Sequence, residues 1–199
     1  MGFIARIKRI LGIKTRLGPQ RLAVLMAAAG DSLGLRIKSS LSKLNNVLDM
    51  PDGFKASDGQ WAEALIEIQA AFHALAAKHV HRFLQGESFR RFGAAMVVAT
   101  SEMGGYVGEA FQDISMERRV HTYLVLDIDT QTRADLETAQ WILKGNVDVP
   151  SLLLVRLARA LGLNLLSLDA MTVWSAVMYA VISLRKNILN DGLLPVPPS

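Results

Sequence analysis

An all-α, multi-helix bundle is predicted from three observations. Trp61, Leu65, Ile68, Phe72, Leu75, His79 and Phe83 follow one another at steps of four, three, four, three, four and four, a rhythm that gathers side chains on one face of a helix. From Ala170 to Leu184 no charged residue occurs, a run too long and too rich in helix formers for an ordinary strand. Across 199 residues, 51% are hydrophobic but only 7% aromatic, and the glycine and proline turn signals are widely spaced, which argues against a sandwich or barrel. This much apolar material is enough for one filled core.

The first element is the most distinctive. Within MGFIARIKRILGIKTR, Phe3, Ile4, Ile7, Ile10 and Leu11 lie at helical spacing, Arg6, Lys8, Arg9, Lys14 and Arg16 occupy other positions, and no acidic residue intervenes. This is a cationic amphipathic helical arm. Phe3, Ile4, Arg6, Ile7, Lys8, Arg9, Ile10 and Leu11 are its candidate partner- or membrane-binding residues. Gly18-Pro19 then makes a turn into a helix from Gln20 to Ala29, which Gly30 is expected to close. A further helix is predicted from about Leu35 to Leu48, with Ile37, Leu41, Leu44 and Leu48 on one stripe. The sequence DMPDGFKAS at 49–57 divides this basic region, residues 1–48, from a helical bundle at 57–191, and residues 192–199 form an extended tail.

Ser57 and Gln60 have capping-box spacing and open the seam helix. Gly86 is expected to end it and Ser88 to cap the next helix, whose Phe89, Phe92, Met96, Ala99 and Met103 repeat the three-four rhythm. Phe92 to Ser101 is uncharged, placing that helix near the bundle centre. Val120 to Ile128 carries residues that favour strands as well as helices. Helix is preferred because Val120, Tyr123, Leu124 and Ile128 share one face and a lone strand leaves its backbone unsatisfied. Thr132 with Asp135 is expected to start a helix through Leu143. Pro150 begins the next and Gly162 ends it. The last helix, about Ala170 to Asn187, reads as a central core helix, with a membrane-embedded hairpin or an oligomer interface as alternatives; a span needs about 20 apolar residues. The side chains expected inside are Trp61, Leu65, Ile68, Phe72, Phe92, Met96, Trp174 and Val177.

Composition excludes several classes of chemistry. There is no cysteine, hence no disulfide framework, thiolate metal site or cysteine nucleophile, and a cytoplasmic location, peripheral to the membrane through the arm, is expected. The arm's charges interrupt any apolar stretch a secretory signal would need, and Arg6 stands where a myristoylation pattern requires Ser or Thr. The net charge of +4 is segregated: residues 1–50 are +7, 51–117 are −4 and 118–199 are +1. Basic character confined to an arm suits a membrane surface or partner groove better than a nucleic-acid docking face.

Asp127 and Asp129 follow an apolar string as Mg²⁺-binding phosphoryl sites do, but no lysine site or second acidic pair follows. They read as closing one helix and capping the next. His79 and His81, two apart, point to different sides of a helix, and His73 and His121 add no ligand spacing. The glycines punctuate helix ends instead of clustering into phosphate or dinucleotide loops. No catalytic residue, metal ligand or cofactor is therefore expected.

Pro150, Ser151, Leu157, Ala158, Ala160, Leu161 and Gly162 form a Pro-Ser helix start followed by Leu-Ala-x-Ala-Leu-Gly. With them, residues 145–169 resemble the last helices of phage-repressor-type helix-turn-helix domains. The resemblance implies a DNA-binding transcriptional regulator whose recognition segment would be Ala134 to Leu143. That segment carries Asp135 and Glu137 with Arg133 beside it, a poor charge balance against phosphate. The expectation is therefore a non-catalytic helical interaction protein, attached to an anionic membrane surface or a protein assembly through residues 1–16. DNA regulation, an enzyme with a site assembled from dispersed residues, and oligomerisation are the alternatives.

Overall fold

The structure, a computed structural model, describes residues 19–48, 53–81, 85–101, 114–126, 128–140 and 147–184. It is all-α. Among the described residues there are seven helices: α1 Pro19–Val47, α2 Asp58–Val80, α3 Gly86–Ser101, α4 Ile114–Val125, α5 Thr130–Thr138, α6 Val149–Leu161 and α7 Leu168–Leu184. No strand occurs among the described residues.

The predicted break at Gly30 is absent. α1 runs unbroken for 29 residues through Gly30 and Gly34. Each glycine costs an isolated helix about 1 kcal/mol relative to alanine, so packing must decide the matter. A Cβ on Gly30 would lie 2.7 Å from the Gln69 side chain, and one on Gly34 would overlap the end of Leu65. Four residues apart, the two glycines share a face and let α1 approach α2 closely. Gln69 Nε2 completes the contact by donating to the Ala27 carbonyl at 3.1 Å. Met26, Leu33, Ile37 and Leu41 of α1 belong to the same hydrophobic core as the later helices.

α2 occupies the centre, packing against α1, α3, α4 and α6. Its middle is buried on every side, since Ala64, Ile66, Ile68, Ala70, Ala71, Phe72, Ala74 and Ala76 are all inside. The four-three seam was therefore only part of the buried surface. The alanines opposite it let other helices come close, a contact that apolar periodicity alone does not register. Ile68 and Phe72 are fully buried as predicted, whereas Trp61 and Leu65 are only partly covered. α3 is not central: Phe92 and Met96 point inward, but Gly93, Ala94 and Val98 face solvent. Absence of charge in α3 reflects small residues on an outer face.

Caps account for several of the helix boundaries. Gln60 N–H donates to Ser57 Oγ at 3.2 Å and Ser57 N–H to Gln60 Oε1 at 2.9 Å, the reciprocal pair expected from the sequence. Gln60 Nε2 also donates to the Leu161 carbonyl at 3.2 Å, tying the start of α2 to the end of α6. Residues 120–125 are helical, and α4 ends at Leu126, whose φ of 55° is left-handed. α5 is capped by Asp129, not by Thr132, whose N–H donates to Asp129 Oδ1 at 2.6 Å. α6 has Pro150 in its first turn, an Asp148–Ser151 capping box, and a left-handed Gly162 at its end.

α7 corrects a larger expectation. Ala170, Val173, Ala176, Val177, Val181 and Leu184 face the core, but Leu168, Met171, Tyr179 and Ile182 are 58%, 41%, 55% and 58% exposed. α7 is a flank helix packed on α1 and α6, not a central one. Trp174, expected inside, is partly covered at its margin. Among the described residues, no helix is long and apolar enough to cross a membrane.

Candidate functional site

The predicted binding residues, Phe3, Ile4, Arg6, Ile7, Lys8, Arg9, Ile10 and Leu11, lie outside the described residues. What the described bundle offers is the surface shared by α1 and α7. Leu168, Met171, Ser175, Tyr179 and Ile182 follow at steps of three, four, four and three, and all five are exposed. α7 thus has two apolar faces, one spent on the core and one turned outward. Exposed apolar residues are common singly, but an uncharged stripe along a whole helix is the feature that marks docking surfaces.

Beside that stripe a groove of about 250 Å³ opens between the two helices. Ala29, Ser32, Leu33 and Arg36 line it from α1, spaced to share one face. Tyr179, Ala180, Ser183 and Leu184 line it from α7, and Phe72 of α2 reaches it from below. Phe72, Leu33 and Leu184 are almost wholly buried and form the floor, while Arg36 and Tyr179 are exposed and form the rim. The Arg36 guanidinium carbon stands 4.0 Å from the Tyr179 ring centre, a cation–π contact that spans the two helices. No carboxylate among the described residues pairs with Arg36.

A second polar constellation lies on the other side of α2, around Glu67, whose residue is only 4% exposed. Glu67 Oε2 accepts from the Tyr123 hydroxyl at 2.7 Å. Its Oε1 accepts from Arg156 at 3.3 Å and from Arg119, which also pairs with Glu63. Four charges of balanced sign therefore link α2, α4 and α6. Burial first, then the adjacent Glu67 carboxylate, push the Tyr123 phenol well above its ordinary range, so it remains a donor. With its carboxylate oxygens engaged by donors already in the chain, this network is equipped to fix how helices meet. His73, also on α2, is buried, and burial lowers its pKa to about 4 against a smaller raising effect of the Met96 backbone. It is a neutral core imidazole at pH 7.

In the region of the helix-turn-helix resemblance, α5 packs on α6. Arg159 donates to Asp135 at 2.7 Å and to Thr132 at 3.3 Å, so that cation is engaged within the protein. Residues 141–143 of the candidate recognition segment lie outside the described residues. No protein-family model, curated protein or solved structure was found to match the chain.

Sequence reasoning named neither the groove nor Glu67. A signal for Glu67 existed: a lone carboxylate amid Leu65, Ile66, Ile68, Ala70 and Ala71 on a strongly apolar helix demands a cation. Which of the arginines supplies it depends on helix packing. The groove had no comparable signal, because its residues come from three helices and each is ordinary in its own segment.

Proposed function

We propose that this chain is a non-catalytic helical interaction protein that attaches to an anionic membrane surface. The basic amphipathic arm of residues 1–16 would supply charge and a first apolar anchor, and the outward stripe of α7 a second. The observation that carries this reading is the second apolar face of α7, Leu168, Met171, Tyr179 and Ile182, on a helix with no charge between Asp169 and Arg185. A single weak anchor gives marginal, reversible binding, whereas two signals together hold a protein at a bilayer. Each basic residue near anionic lipid contributes about 1 kcal/mol, and each isoleucine-sized side chain fully buried in the interface about 1.5–3 kcal/mol. Ordering the arm offsets part of this gain.

Flotation of the full chain with phosphatidylserine-containing vesicles tests the reading. The wild type is expected to float at low salt and to release as salt rises, because exposed charge attraction is screened. Arg6→Glu/Lys8→Glu/Arg9→Glu and, separately, Met171→Glu/Ile182→Glu are each expected to weaken flotation. A wild-type protein that stays at the bottom of the gradient while co-purifying with a defined protein assembly would replace the bilayer by that assembly as the target.

A further inference from the structure

We propose that the groove between α1 and α7 is a binding site for a small aliphatic monocarboxylate, tail inward and carboxylate on Arg36. The proposal uses no residue of the arm, and of the outward α7 stripe it uses Tyr179 alone. Its floor is apolar, formed by Leu33, Phe72 and Leu184, and Ala29 and Ala180 line it with short side chains. The volume, about 250 Å³, falls just below that of pockets for drug-sized ligands. It suits a short chain better than a ring system with several substituents.

Arg36, Ser32 and Ser183 supply the charged and hydroxyl groups of the lining, with Arg36 exposed at the rim. An apolar cavity with a few polar groups at one end selects a ligand with one polar end. The charge of that end follows from Arg36. Its guanidinium has no acidic partner among the described residues and lies 4.0 Å from the Tyr179 ring centre. Stacking on a ring uses the face of the guanidinium and leaves its in-plane N–H groups able to take a carboxylate at two points. The stacked arginine is already held at the rim, so little side-chain freedom is lost when the anion arrives. Ser32 and Ser183 add hydroxyl donors to the same lining. A cationic head would be repelled, and a neutral alcohol would leave the guanidinium without its counter-charge.

The test uses the full-length protein without vesicles, with octanoate and 1-octanol as probes, read by calorimetry and by amide shifts in ¹⁵N spectra. Octanoate is expected to shift the amides of Leu33, Ala180 and Ser183. Arg36→Gln, at an exposed position, should leave the fold intact and weaken octanoate about tenfold, the loss of one charge-assisted contact, while octanol binding stays the same. Ala29→Phe, which fills the groove, should abolish both. Arg6→Glu/Lys8→Glu/Arg9→Glu should bind octanoate as the wild type does, which separates failure of this site from failure of membrane attachment. The proposal is overturned if octanoate leaves the groove amides unmoved, if Arg36→Gln changes octanoate and octanol alike, or if residues 192–199 give nuclear Overhauser contacts to Phe72 that octanoate does not displace.

Discussion

At the scale of single residues, the most informative positions are polar groups inside the core. Glu67 stands with Tyr123, Arg119 and Arg156 in a network whose cost of burial is met only while every member has a partner. Tyr123→Phe removes the donor to Glu67 Oε2 and is expected to lower stability by about 1–3 kcal/mol, the cost of a buried acceptor left unsatisfied. Glu67→Ala leaves two partly buried guanidinium groups without their shared carboxylate and is expected to cost about 3–5 kcal/mol. Urea denaturation of both variants measures this; equal stability of wild type and Glu67→Ala would mean the network contributes nothing. His73 gives a pH signature. Its folded pKa of about 4 lies below the unfolded value of 6.5, so the unfolded chain takes up the proton first. The contribution of neutral His73 is therefore complete above pH 6.5 and is lost as pH falls from about 6.5 to about 4, by about 3 kcal/mol in all. His73→Leu is expected to flatten that part of the stability-versus-pH curve, and an unchanged slope would show that another group governs it. In the sequence His73 is marked only by its lack of ligand spacing, because nothing local distinguishes a buried imidazole from an exposed one.

At the scale of elements, what could be read from the sequence was whatever is enforced within a few residues. The Ser57–Gln60 box, Pro150 and Gly162 act through neighbouring backbone, and all three mark helix boundaries as read. Asp129 caps α5 through one short bond to Thr132; Asp129→Ala is expected to cost about 0.5–2 kcal/mol. The misreadings have a common cause, which is that a helix partner lies far away in sequence. Gly30 looked like a helix end and is instead a point of contact with Gln69, and α7 looked uniformly apolar because its inner and outer faces carry the same kinds of residue. Gly30→Leu should wedge α1 away from α2 and lower stability by about 1–3 kcal/mol by overpacking, whereas a true terminal glycine would tolerate the change with little loss of melting temperature. Met171→Glu and Ile182→Glu, both on exposed positions, are expected to alter stability by no more than about 0.5 kcal/mol. A large destabilisation of either would show that the outer face of α7 is packed within the chain.

At the scale of the whole molecule, the all-α bundle has α2 at its centre, a helix buried along its middle, with a carboxylate network on one side and the α1–α7 groove on the other. The fold class was legible because the three-four rhythm and the long apolar runs are properties of single segments. The arrangement was not, since it depends on which alanine and glycine faces meet. The sequence's strongest functional signal, Arg6, Lys8, Arg9, Lys14 and Arg16 with no acidic residue among them in residues 1–16, concerns an arm that precedes the described bundle. On the proposed function the arm attaches the chain and the bundle stands without it, as expected if Gly18-Pro19 separates the two. The most direct measurement is deletion of residues 1–16, followed by thermal melting and flotation with phosphatidylserine-containing vesicles on the same preparation. The expected result is a cooperative transition at the wild-type temperature together with loss of flotation. Collapse of the transition would make the arm part of the core, and flotation equal to that of the intact chain would contradict attachment through it.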